Sequence, residues 1–128
     1  MSGWQDYITT NLVGSQHIAR ALICGTDGTW WAGSDDFAPS SAEIQAIIAG
    51  FSDGGAQLRA KGMFIQGNKY LLLRADEQSI YGKFGQGGVA AAKCNTCVII
   101  SVYVEKMSPG NCNNATETLA EYLRDNNY

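Results

Sequence analysis

The chain has 128 residues, 45% of them hydrophobic and 16% charged, with a formal net charge of −3. That length suits one domain, residues 1–128, around a single core. The acidic balance argues against a nucleic-acid partner, because displacing counterions from phosphates calls for a basic excess.

Met1-Ser2-Gly3-Trp4-Gln5 lacks the cationic start and apolar run of a secretory signal, and no Gly follows Met1 to accept a myristoyl group. No apolar run approaches the roughly 18 residues that span a bilayer. The expectation is a soluble cytoplasmic protein. Trp4, Ile8 and Leu12, with Tyr7 and Asn11 beside them, predict a short amphipathic N-terminal helix that stops near Gly14. Ile18 to Cys24 and Thr29 to Ala32 read as strands joined at Thr26-Asp27-Gly28. Ser40 with Glu43 makes a capping-box pattern for a second helix, along which Ile44, Ile47, Ile48 and Phe51 form an apolar stripe. Gly50 and Asp53-Gly54-Gly55 are its expected breakers.

Five strands follow by pattern: Gly62 to Gln66, Tyr70 to Ala75, Ser79 to Lys83, Val89 to Cys94 and Cys97 to Val104. Their short connections favour antiparallel pairing. Asn114 with Glu117 is read as the capping pair of a last helix carrying Ala115, Leu119, Tyr122 and Leu123 on one side, with Arg124 in its final turn. The predicted class is α+β, an antiparallel sheet with helices packed on it.

Residues for covalent chemistry are sparse. His17 lies in a polar stretch and reads as a solvated loop residue, and no Ser or Cys sits in a context that would activate it. Asp35-Asp36 and Asp76-Glu77 read as turn carboxylates rather than an acid/base pair, and Gly85-Gln86-Gly87-Gly88 lacks the Lys-Ser/Thr and the helix of a phosphate loop. Cys94-Asn95-Thr96-Cys97 is formally a CxxC, yet it separates two apolar strands and reads as a hairpin turn. The four cysteines are expected to be free thiols, with no metal and no cofactor.

Aromatic residues gather at the chain ends. Trp4 and Tyr7 share a helix face, Tyr122 lies on the last helix, and Tyr128 is too near the end to be ordinary core. Exposed rings of this kind suit a polyproline II ligand, whose ridges slot between them. On the residues alone, that reading and core packing stand level.

Several stretches then resemble profilin over essentially the whole chain. They are Trp4-Gln5-x-Tyr7, Trp31-Ala32-x-Ser34, Leu72-Leu73-Arg74-Ala75-Asp76-x-x-Ser79-Ile80-Tyr81-Gly82-Lys83, and Leu119-Ala120-Glu121-Tyr122-Leu123 with Tyr128. The resemblance implies terminal helices side by side on one face of the sheet and smaller helices on the other. It implies that Trp4, Tyr7, Trp31, Tyr122 and Tyr128 form a polyproline groove. It places monomeric actin on a face holding Arg74, Tyr81 and Lys83, with Lys93 and the Asn111–Asn114 stretch as further candidates. Strand alternation sends Trp30 and Trp31 to opposite sides, with Trp31 in the groove and Trp30 in core or opposite-face packing. The implied activity is regulation of actin polymerisation, with delivery of actin to proline-rich formin-type elongators and faster nucleotide exchange on the bound actin. A proline-rich peptide module with weak or lost actin binding is the alternative. Departures from the family pattern are an extra Gly3 before the Trp, the plain Val89-Ala90-Ala91-Ala92 run and only nine Lys and Arg, from which weak phosphoinositide contact is expected.

Overall fold

The computed structural model describes residues 3–128, so Met1 and Ser2 of the leader reading lie outside the described residues. Its helices are α1 (Gly3–Asp6), α2 (Ser41–Asp53), α3 (Ala56–Lys61) and α4 (Pro109–Asp125). Its strands are β1 (Arg20–Gly25), β2 (Trp30–Gly33), β3 (Met63–Ile65), β4 (Asn68–Ala75), β5 (Ser79–Phe84), β6 (Gly87–Lys93) and β7 (Cys97–Tyr103). They form one seven-stranded sheet in the order β2-β1-β7-β6-β5-β4-β3, every neighbour antiparallel.

Period-two alternation divides the core in two. On β7, Cys97, Ile99 and Tyr103 pack with Ile8, Leu12, Leu119, Ala120 and Leu123 of the terminal helices. Val98, Ile100 and Val102 turn to the other face, against Ile44, Ile47, Phe51 and Leu58 of α2 and α3. Every residue of β7 is buried because both faces are covered. The alanine run of β6 has a structural use here. Ala90 and Ala92 are fully buried under the terminal helices, and their small side chains let α4 lie close to the sheet.

The N-terminal segment departs from an ordinary α-helix. After α1 the chain winds as a π-helix over Tyr7–Leu12 and a 3-10 turn over Val13–Ser15. Val13 N–H reaches back five residues to Ile8 O, and Thr9 Oγ1 donates to Gln5 O at 3.2 Å, competing for the carbonyl an α-turn would use. The four-residue spacing of Ile8 and Leu12 survives, and both are buried. Gly14 is not the stop: the turn runs through Ser15, and Gln16 takes the left-handed conformation at φ 68°.

The Ser40–Glu43 capping box forms as expected, with Glu43 N–H donating to Ser40 Oγ and Ser40 N–H donating to Glu43 Oε1. Gly50, expected as a breaker, lies inside α2, where a Cβ would come within 2.6 Å of Leu58 Cδ1. Its role is close approach of α2 to α3, and Gly54 at φ 66° ends the helix. The last helix begins earlier than Asn114. Ser108 is its cap, accepting from Asn111 N–H, and Pro109 occupies the first turn.

Glu43 also accepts from Gln66 N–H and Gly67 N–H, each at 2.8 Å, and so joins α2 to the β3–β4 turn. Burial acts to raise its pKa, but these backbone donors outweigh burial and hold it below the ordinary 4.5. Its folded-state pKa is therefore depressed, so its stabilisation is complete above pH 4.5 and is lost as pH falls through the folded value. Glu43→Ala is expected to cost about 2 kcal/mol at neutral pH. Urea denaturation from pH 7 to 3 should show that gap narrowing only on the acid side; a constant gap would mean the carboxylate charge is not involved.

Candidate functional site

Three elements far apart in sequence bring the five expected aromatics together. The Trp4 ring centroid is 4.7 Å from Trp31 on β2, 5.0 Å from Tyr128 and 5.7 Å from Tyr7. Tyr7 continues the strip to Tyr122 of α4 at 6.2 Å. The contacts are edge-on or tilted, the arrangement ring quadrupoles prefer. Gln5 Nε2 donates to Gly33 O at 3.2 Å and pins α1 to β2, which places Trp4 beside Trp31. Asn127, left-handed at φ 70°, turns the chain back so that Tyr128 N–H meets Leu123 O at 2.8 Å. Thr96 donates to Tyr128 O through both its N–H and its Oγ1, fixing the residue on the β6–β7 turn.

The strip is open to solvent. Tyr122 is 52% exposed and Tyr128 45%, while Trp4, Tyr7 and Trp31 are half-buried and pack on the core beneath. Burial first, and then the Tyr122 hydroxyl, raise the Tyr7 pKa above 10.0, so Tyr7 stays a neutral phenol at neutral pH. A depression of about 510 Å³ runs on between the terminal helices, bordered by Tyr7, Asn11, Asn114 and Tyr122. Ring faces, phenolic hydroxyls and Asn amides along one strip provide apolar slots and hydrogen-bond donors together. Trp30 points to the other side of β2 at 46% exposure, with its ring over Gly33. It belongs to the opposite face and not to the core.

A second site lies across α4. Arg74 and Tyr81 are directly opposite on β4 and β5, with the guanidinium carbon 5.7 Å from the ring centroid. Arg74 Nη2 also pairs with Asp76 Oδ2 at 2.7 Å. The register shifts between Leu72 and Arg74, and Leu71 and Leu73 emerge as exposed apolar residues beside the pair. Lys83 follows Tyr81 at a spacing of two and shares its face.

Glu117 of α4 closes this arrangement, accepting from Tyr81 Oη at 2.6 Å and from Ser79 Oγ at 2.5 Å. Burial and this bond raise the Tyr81 pKa to about 12. Sequence reading placed Glu117 in a local cap, since no local signal reports a contact across 36 positions. Glu117 and Tyr122 lie five positions apart on α4, or about 140° around its axis, so the helix meets a different side-chain cluster on each side.

Of the remaining candidates, Lys93 is not brought to that surface. Lys93 alternates to the α2 side of β6 and lines a cavity with Phe51 and Ser52, away from Arg74, Tyr81 and Lys83. Of the Asn111–Asn114 stretch, Cys112 is buried and Asn114 borders the aromatic depression. Among the described residues no group of three His, Cys, Asp or Glu is placed to hold a metal ion.

An antiparallel sheet with helices on both faces carries an open aromatic strip along its paired terminal helices and leaves the β4–β5 surface beside α4 exposed. Comparison with known proteins makes this specific: the Profilin family model matches residues 2–128. Profilin-2 of Dictyostelium discoideum is 44% identical over 124 residues, covering 97% of this chain and 98% of that protein. Profilin-2 of Acanthamoeba castellanii is 43% identical over 120 residues, 94% of each. The solved structure of Acanthamoeba castellanii profilin IA superposes with a TM-score of 0.93 at 41% identity, over 98% of this chain and 99% of that one. Mouse profilin IIa, solved in complex with a double repeat from the FH1 domain of mDia1, shares the fold at a TM-score of 0.80 and 20% identity, over 99% and 100%. The chain belongs to the profilin family.

Proposed function

We propose that this protein binds monomeric actin on its β4–β5 face and proline-rich peptides on its aromatic strip, regulating actin polymerisation and delivering actin to formin-type elongators. The carrying observation is the joining of Trp4, Tyr7, Trp31, Tyr122 and Tyr128 into one open strip on the far side of α4 from Arg74 and Tyr81. Family membership supports both partners, and a profilin of this fold holds an FH1 repeat. The rings supply the slots a polyproline II ridge fills, and Tyr hydroxyls are donors for its carbonyls.

On the other side of α4, Arg74 and Lys83 supply positive charge and Leu71 with Leu73 an apolar contact. Basic side chains facing an acidic partner raise the association rate and fix orientation. With Lys93 turned to the opposite face, this surface relies on few cations. The protein acts in the cytoplasm at the actin cytoskeleton as a binding protein, with weak contact to phosphoinositide lipids. No helix among the described residues is long and apolar enough to cross a membrane.

Arg74→Glu separates the two activities. It is expected to weaken actin binding about tenfold or more, since a like charge is placed against the partner. Affinity for a polyproline peptide should be unchanged. Sedimentation of monomeric actin with each protein reads the first, and calorimetric titration the second. Equal actin binding by wild type and variant would remove this face from the assignment. Absence of actin binding in both, with peptide binding intact, would leave a peptide-binding module.

A further inference from the structure

The Cys94-Asn95-Thr96-Cys97 turn does more than reverse the chain. Cys94 and Cys97 close the two-residue loop between β6 and β7, with Cys94 N–H donating to Cys97 O at 2.7 Å. Their neighbours Lys93 and Val98 are register partners, so the two cysteines face each other across the hairpin. Directly paired residues of this kind lie about 5.5 Å apart at Cα, inside the span a disulfide bridges. Both side chains point to the terminal-helix side and join the buried cluster there. Each thiol also holds the C-terminal end of the chain. Cys94 Sγ donates to Ala120 O at 3.6 Å, and Cys97 Sγ to Tyr128 O at 3.8 Å.

Cys94 is buried at 4% exposure, and its residue borders an open cavity of about 390 Å³ together with Lys93, Asn95 and Arg124. The Arg124 guanidinium is fixed there by two bonds to Lys93 O, at 2.7 and 3.0 Å. Interaction with the Cys97 side chain, and then the Arg124 charge, lower the Cys94 pKa against the effect of burial. The opposed position of Cys97 across the hairpin places it to resolve an oxidised Cys94. Cys24 and Cys112, by contrast, are fully buried and pushed up to about 12.

We propose that Cys94 and Cys97 are a redox modification site, closed to a disulfide by hydrogen peroxide, and that closure weakens the hold of the β6–β7 turn on Tyr128 of the aromatic strip. Cys94 thiolate attacks one peroxide oxygen, giving a sulfenic acid and hydroxide, which takes up the proton Cys94 had shed. Cys97 Sγ then attacks the sulfenic sulfur, and the displaced hydroxyl leaves as water with the Cys97 proton. Two thiols and one peroxide become one disulfide and two waters. The product has no S–H to donate, so Ala120 O and Tyr128 O each lose a partner, and the sulfurs are drawn toward each other from α4. The turn that anchors Tyr128 through Thr96 is the loop the new bond closes. The consequence for ligand binding rests on the proline-rich reading above; disulfide formation does not.

The test treats the whole protein with a small excess of hydrogen peroxide and reads intact mass, peptide-mapped linkage and affinity for a polyproline peptide. The expected result is loss of two hydrogen atoms, a Cys94–Cys97 link, and peptide affinity lowered by on the order of three- to tenfold, reversed by dithiothreitol. Cys97→Ser should gain oxygen at Cys94 without forming the link. Unmodified thiols, or a link involving Cys24, Cys112 or a second molecule, would overturn the site. A mapped Cys94–Cys97 link with unchanged peptide affinity would overturn its coupling to Tyr128. If the reduced protein binds no polyproline, the failure lies in the proline-rich reading, and the mass measurement still decides the thiol pair.

Discussion

Trp4→Ala is expected to weaken binding of a polyproline peptide by about 2 kcal/mol or more, roughly thirtyfold. Trp4 touches three of the other four rings, so its removal takes one wall from the Trp31 slot and leaves Tyr128 without its edge-on partner. The matching control is Trp30→Ala, which removes a neighbouring and exposed indole from the opposite side of β2. That variant should bind as wild type. Calorimetric titration of both separates a specific groove from general aromatic stickiness. Equal losses would show that the ligand does not distinguish the faces of β2.

Leu123→Ala should carry the largest loss of stability, about 2–5 kcal/mol. Leu123 is fully buried in the cluster formed with Ala90, Ala92 and Cys97, and the alanines opposite it are too small to close the void. Its carbonyl also accepts from Tyr128 N–H, so loosening this turn of α4 should weaken peptide binding as well. Denaturation in urea should show a lower midpoint with an unchanged slope, the sign of lost stability without a change in the denatured state. A loss below about 1 kcal/mol would mean that α4 is not held on the sheet at this position.

Features carried by neighbours in sequence were the readable ones. The Ser40–Glu43 box, the Cys94–Cys97 hairpin and the opposed Trp30 and Trp31 each depend on a few consecutive residues, and each formed as read. The start of α4 was equally local and was misread. Ser108 followed by Pro109 is a strong start signal, and Asn114 with Glu117 was a false one. Other features depend on contacts that local pattern does not encode. The π-winding of Tyr7–Leu12 preserves the buried spacing of an α-helix and is invisible to periodicity. Glu117 meets Tyr81 only because α4 crosses β5. Lys93 needed its strand register, since a shift of one residue decides which face it joins. The aromatic strip was half legible: the rings stood out at the chain ends, while their convergence is a property of the fold.

The proposed function requires one small protein to hold two partners at once, on opposite sides of α4. Titration with monomeric actin, alone and with saturating polyproline peptide, decides whether it does. Saturable one-to-one actin binding is expected, with the same affinity when the peptide is present. No binding to actin, or loss of actin binding as the peptide saturates, would contradict it.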